Sequence, residues 1–543
     1  MPARAAVAAV VRSATRRGSR TAARHASGAA TLRARPEPVQ VVYEEEYEPS
    51  RPSYSDLSRT AGVEGHPNVN ARYVADIPLP QALAYVNNAS RPVSEEHWDE
   101  AWEKDQIMDA AKENVVMTWG PTAPVADLAL MVRGEGVYLF DSEGNKYLDW
   151  TSQAVCANLG YSVPPAVTQA MSQQLNTLPY IYGGMGMVEI RARMASLMAE
   201  LAPGDLNNWL FPQGGGEANE AAIRMARRYT GKHKILTMHR SYHGGSATTL
   251  NATGDFRRWF SDGEVSGIVK MYNPQPIGFS WGESNEEACE RCLLAMEDAI
   301  LSEGPQSIAA VMLESIVGAN GVLVPPVGYM EGVRALCDQY GILLICDEVM
   351  TGFWRTGEMF AFQHFNVLPD IVTCAKGLSA GYFPVSAVGC RDHIRAHFET
   401  QPLGWGATYQ AHPVGLAVAY EVLKHSVSLN VEAHVKDLQS VFLEGLNNLV
   451  ENHKTVKRAR GIGLFGCLDL VGKDGKAIQR LDQGSPEAVR AFRQTLRDHG
   501  LVSLFRPPFL HCAPPLVISE EELRDGFARL DGALTELDRM VEA

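Results

Sequence analysis

Between Gly341 and Asp347 the chain confines a short apolar run, Leu343, Leu344 and Ile345, with no polar residue alternating through it. A run this short and this uniformly apolar reads as a strand buried on both faces, which requires a sheet covered by helices on both sides. Asp347 then emerges at the carboxyl end of that strand. A second run, Ile371, Val372 and Cys374, brings Lys376 to the same edge of a parallel sheet, where open α/β sheets hold their ligands.

A carboxylate and a lone lysine at one sheet edge suit a particular chemistry. A lysine holds an aldehyde cofactor as a Schiff base, and a pyridine ring withdraws electrons only while its nitrogen stays protonated, which a buried carboxylate enforces. Lys376 and Asp347 suit those two roles toward pyridoxal phosphate. The lysine must also carry a proton to and from the substrate, so its pKa has to fall well below the ~10.4 of free lysine. Taken singly, Asp347 reads more readily as a loop cap and Lys376 as a solvated strand end.

With the residues around them, D-E-V-M-T-G-F-W-R-T-G from Asp347 and D-I-V-T-C-A-K-G-L-S-A-G-Y-F-P from Asp370 resemble the class III, fold type I pyridoxal-phosphate aminotransferases. The resemblance runs from about Met117 to the C-terminus. It implies that Lys376 carries the cofactor and that Asp347 pairs with the pyridine nitrogen; no metal is expected, since Cys289 and Cys292 have no second pair or histidine nearby in sequence to complete a zinc site.

Trp209 to Arg228 reads as strand, glycine turn and helix, a cradle whose bare amides bind anions. Gly215 and Gly216 are the candidates for the phosphate; the family reads S-G-S-E-A or S-G-T-E-A here, so Gly216 lacks the expected hydroxyl and offers its amide alone. Lys234 to Gly244 is similar to the family's Y-H-G element, which implies that Tyr242 stacks on the pyridine and that His243 positions its neighbours. Glu314 stands in the place of the E-P motif, with Ser315 for the proline, near the cofactor's hydroxyl edge. Thr408, in the T-Y-x-x-H-P element, is implied to reach the cofactor phosphate of a neighbouring subunit, making a homodimer with shared active sites. A turn hydroxyl satisfying local backbone is the alternative.

Arg506 precedes a proline-rich turn where the family places an arginine that grips a substrate carboxylate, as a bidentate guanidinium does well. Met350 stands where relatives acting on γ-aminobutyrate or ornithine commonly carry glutamine, and Cys156 to Tyr161 looks like the pocket loop of ω-aminotransferases. Trp354 replaces a usually small residue. The implied reaction moves an amino group from a small-molecule amine or ω-amino acid, such as β-alanine, taurine or a γ-aminobutyrate-like donor, to pyruvate or glyoxylate by a ping-pong route. The same motifs also serve lyases, epimerases and aminomutases.

At 543 residues and 45% hydrophobic, the chain is long enough for two structural domains beyond an N-terminal extension. Alternating strand and helix signals over 205–400 predict an α/β fold with a mostly parallel, doubly wound sheet. The expected division is a large cofactor-binding domain at 166–412 and a smaller α/β domain built from 106–165, with a hairpin around Glu143-Gly144-Asn145, and 413–543. Residues 1–36 hold eight arginines, no lysine and no acid, the composition of an organelle transit peptide, mitochondrial (matrix) by preference with a plastid as the alternative. A flexible linker and N-terminal extension are expected over 37–105.

Net charge is −14, and therefore −22 without those eight arginines, which argues against nucleic acid or an anionic membrane surface as a partner. No apolar run reaches the ~18 residues of a membrane span. The nine cysteines are scattered and read as free thiols. Gly461 to Gly466 satisfies G-x-G-x-x-G, but it runs on into a strand-like segment, whereas a dinucleotide site needs a helix there.

Overall fold

The first strands along the chain are a hairpin and its neighbour: β1 (Met131–Glu135), β2 (Tyr138–Asp141) and β3 (Lys146–Asp149), all antiparallel, with the β2–β3 turn built on Glu143-Gly144-Asn145 as expected. Seven further strands make the central sheet: β4 (Asn208–Leu210), β5 (Lys234–Met238), β6 (Ile268–Met271), β7 (Ile308–Glu314), β8 (Leu343–Asp347), β9 (Ile371–Cys374) and β10 (Ala387–Cys390). Their order is β4-β10-β9-β8-β7-β5-β6, and β10 alone runs against its neighbours. The C-terminal part adds β11 (Val456–Ile462), β12 (Phe465–Leu470), β13 (Leu501–Val502), β14 (Phe505–Arg506) and β15 (Phe509–Cys512). Of these, β13 pairs in parallel with β3, so the hairpin near the start and a strand near the end share one sheet.

Residues 101–119, 122, 128–260, 265–478 and 487–542 are described by this computed structural model. The expected transit segment and nearly all of the linker lie outside the described residues. The helix Lys104–Asn114, with no buried side chain, belongs to one compact unit; everything described from Val115 onward belongs to another.

The strands of the central sheet are apolar in succession because both faces are covered. Ala310 and Met312 of β7, with Leu343 and Ile345 of β8, pack on the Ala221, Ala222, Met225 and Ala226 stripe of the helix Gly215–Thr230. The intervening Val311, Leu313, Leu344 and Cys346 face the opposite way, into a core that includes Val333 and Leu336 of the helix Tyr329–Tyr340. This is the α/β architecture read from the sequence. The Gly461–Gly466 segment forms the β11–β12 hairpin, and no helix opens there. Among the described residues no helix is long and apolar enough to cross a membrane.

Arg355 ties the parts together. It is fully buried, and its guanidinium donates to Ser152 Oγ (3.1 Å), Asn158 Oδ1 (3.0 Å), and the carbonyls of Leu464 (3.1 Å) and Pro514 (2.6 Å). One side chain thus anchors the turn Ser152–Val155, whose four residues all take left-handed φ, to the C-terminal hairpin. Trp354 and Phe353, next to it, also have positive φ and are buried, so the tryptophan is a core residue here. Arg355→Ala leaves four buried acceptors without a donor and should destabilise the protein by about 3 kcal/mol or more, read as a lowered urea midpoint.

Candidate active site

Parallel pairing places Glu314 of β7, Asp347 of β8 and Thr373 of β9 in one register row at the carboxyl edge of the sheet. Just past that row, Lys376 sits at φ 47, a left-handed conformation uncommon for a non-glycine residue and found disproportionately at functional positions. Gly215, Gly216, Tyr242, Glu314, Asp347 and Lys376 come together around a cavity of about 220 Å³.

Asp347 is aimed by three donors. Its Oδ2 accepts from Asn219 Nδ2 (2.7 Å) and His243 Nδ1 (2.8 Å), and its Oδ1 from the Val349 amide (3.0 Å). Thr373 Oγ1 donates to Asn219 Oδ1 at 2.6 Å and so fixes which way that amide points. Asn219 was not singled out from the sequence; an amide on the buried stripe of an alanine-rich helix was the available signal. His243, expected as a positioning residue, meets Asp347 through Nδ1. The neighbouring acid, Glu348, turns into the core and accepts from Ser315 Oγ (2.5 Å), Thr351 Oγ1 (2.5 Å) and the amides of Ala361 (2.8 Å) and Phe362 (3.1 Å). Ser315, where the resemblance has proline, thus serves Glu348.

Lys376 keeps partial access through the cavity, yet burial pushes its pKa down, and Arg506 adds to that push against the pull of Cys156, Asp347 and Glu314. Burial pushes Glu314 up to about 7, although its carboxylate accepts from the amides of Tyr242 (2.9 Å) and Gly318 (2.8 Å). Tyr242 is half-buried at the cavity wall, with the Arg257 guanidinium 3.6 Å from its ring centroid and the Trp119 ring edge-on at 6.0 Å.

The glycines make a cradle that a side chain would fill. A Cβ on Gly215 would lie 2.8 Å from Val349, and one on Gly244, at φ +145, would lie 2.7 Å from Gly216 Cα. Gly216 differs, since a Cβ there meets nothing closer than 3.5 Å. Two expected residues lie outside this cavity. Arg506 lines an adjoining cavity of about 450 Å³ with Asp255, Trp259, Tyr272 and Phe509. Thr408 is exposed, its carbonyl accepting from the Tyr180 hydroxyl at 2.7 Å.

The class-III aminotransferase profile matches residues 122–534. The chain belongs to the class-III aminotransferases. The enzyme is 34% identical over 393 residues to a taurine–pyruvate aminotransferase of Rhodobacter capsulatus, covering 67% of this chain and 82% of that one. It is 30% identical over 423 residues to a probable γ-aminobutyrate transaminase 2, mitochondrial, of Oryza sativa subsp. indica, covering 74% and 83%. Its fold is similar to that of a taurine:2-oxoglutarate aminotransferase from Bifidobacterium kashiwanohense, solved with pyridoxal phosphate and glutamate, at TM-score 0.76 and 35% identity over 81% of this chain and all of that one. Pyridoxal phosphate is the aminotransferase's cofactor. The residues present fit it: bare glycine backbone at a helix N-terminus, a carboxylate and a lysine all face one cavity.

Gly216→Ser should fit and tighten cofactor binding about three- to tenfold, whereas Gly244→Ala should weaken it, both measured by titrating the apoenzyme. Glu314 is an acid whose pKa folding raises, so its contribution to stability is fully present below about 4.5 and is lost as pH rises to about 7. In the apoenzyme, Glu314→Gln should remove a loss of about 3 kcal/mol across that window, checked by urea unfolding at a series of pH values.

Proposed function

We propose that this enzyme is an ω-aminotransferase that takes the amino group of a terminal amine or ω-amino acid, of the β-alanine, taurine or γ-aminobutyrate kind, and delivers it to pyruvate or glyoxylate in two half-reactions. The observation that carries the reading is Lys376 and Asp347 facing one glycine-cradled cavity. Bound pyridoxal phosphate supplies an electrophilic carbon for the amine and an electron sink for the carbon that bore it. Lys376, its pKa pushed down by burial, offers an unprotonated amine that takes a proton from that substrate carbon and returns it. Asp347, aimed by Asn219, His243 and Val349, presents its carboxylate to the ring nitrogen. The amides of Gly215 and Gly216, opening the helix Gly215–Thr230, hold the phosphate, and Tyr242 walls one face of the ring. Arg506, close enough to Lys376 to depress its pKa, takes the substrate carboxylate. Met350 lines the cavity and packs on Gly318, leaving an apolar wall where a hydrogen-bonding side chain would favour another donor.

The active form is a homodimer in which Thr408 serves the partner's site. In support, the strip around Thr408 carries exposed apolar side chains, Tyr180, Tyr182, Met185, Met187 and Tyr409. We also assign residues 166–412 to a large domain, with 106–165 and 413–543 together forming the small one, and residues 1–36 to a mitochondrial transit peptide. The arginine-rich, acid-free composition of 1–36 and a rice relative named as mitochondrial support that address.

Mixing holoenzyme separately with β-alanine, taurine, γ-aminobutyrate and a simple amine should convert the cofactor absorbance band with at least one donor, and pyruvate should restore it. No conversion with any donor would favour a lyase or isomerase instead. Lys376→Ala should abolish the lysine-bound absorbance band and activity together. A fusion of residues 1–36 to a fluorescent protein should enter mitochondria; accumulation in plastids or the cytosol would refute the address.

A further inference from the structure

Against the Tyr242 ring lies a buried ion pair. Arg257 and Asp255 are only 5% and 9% exposed. Arg257 Nε donates to both carboxylate oxygens (3.1 and 3.0 Å), its Nη2 meets Oδ2, and its amide donates to Oδ1 at 3.0 Å. Asn320 Nδ2 adds a bond to Oδ2 at 3.2 Å. The guanidinium carbon stands 3.6 Å from the Tyr242 ring centroid and 5.5 Å from that of Trp119. The guanidinium thus lies over one face of the Tyr242 ring, and Arg257 is not among the residues that line the Lys376 cavity.

Stability alone explains this arrangement poorly, because replacing a buried ion pair by apolar side chains of similar volume is often neutral or stabilising. A guanidinium clamped by a carboxylate is instead well suited to lie flat on an aromatic face and fix the ring's plane. The rest of Tyr242 is fixed too. Its amide donates to Glu314 Oε1 at 2.9 Å, and the next amide, of His243, donates to Thr253 Oγ1 at 2.9 Å.

We propose that Arg257, clamped by Asp255, is a positioning residue that fixes the Tyr242 ring as a rigid wall of the cofactor cavity, with Trp119 closing the ring's edge. The proposal rests on the reading of Tyr242 as the ring that stacks on the cofactor.

Four variants test it, with three readouts: cofactor affinity from apoenzyme titration, circular dichroism in the cofactor's absorption band, and unfolding temperature of the apoenzyme. Asp255→Asn/Arg257→Met removes both charges together and so leaves no lone buried carboxylate. It should fold, weaken cofactor binding about tenfold and diminish the cofactor-band signal. Arg257→Lys keeps a charge against Asp255 but lacks the planar face; it should restore the unfolding temperature and leave the cofactor-band signal diminished. Wild-type affinity and dichroism in the double variant, or in Arg257→Lys, would overturn the proposal. If the double variant does not fold, Arg257→Lys decides alone. Tyr242→Leu and Tyr242→Phe separate the two readings. If Tyr242→Leu leaves the cofactor signal intact, the stacking role itself is wrong; if Tyr242→Leu abolishes the signal, Tyr242→Phe keeps it and the Arg257 variants keep it, only the positioning role fails.

Discussion

The site depends on the register between three parallel strands. Because β7, β8 and β9 pair with Glu314, Asp347 and Thr373 side by side, three polar side chains leave the sheet at one level. Everything else is hung from that row. Asp347 meets Asn219 and His243, Thr373 turns the Asn219 amide, and Glu314 holds the Tyr242 backbone. Sheet pairing thus does at low conformational cost what loops alone would do poorly, since each strand is locked by apolar residues on both faces.

Burying so many polar groups is tolerable because nearly every one has a partner. Glu348 has four donors and Arg355 four acceptors. Exceptions among the described residues are spread over the fold, Arg355 Nε and Ser386 Oγ among them, and one of them lies at the site, where His243 Nε2 is buried without a hydrogen-bond partner.

Asp347, Lys376 and the glycine cradle were legible in the sequence because each is a strand end or a turn, and local pattern alone places such residues at the sheet edge. Asn219 and the Asp255–Arg257 pair were not. Their roles come from contacts between segments far apart in the chain, such as Thr373 with Asn219, and no periodicity encodes those. Thr408 and Arg506 fall between the two cases. Their motifs were recognisable, but within one chain Thr408 lies exposed and Arg506 lines the adjoining cavity, so nothing local brings either to Lys376. Ser315 departed from the family pattern for a reason only the fold reveals, its bond to Glu348.

The adjacency of Asp347 and Glu348 has a consequence for how such a sequence can change over time. Neighbouring carboxylates at a strand end point to opposite sides, one toward the cavity and one into the core, and a shift of one residue would exchange them. A single-residue insertion or deletion anywhere in β8 would thus swap a ligand-facing acid for a structural one. Drift in this strand is therefore confined to substitution, because its length sets which of the two acids meets the cavity.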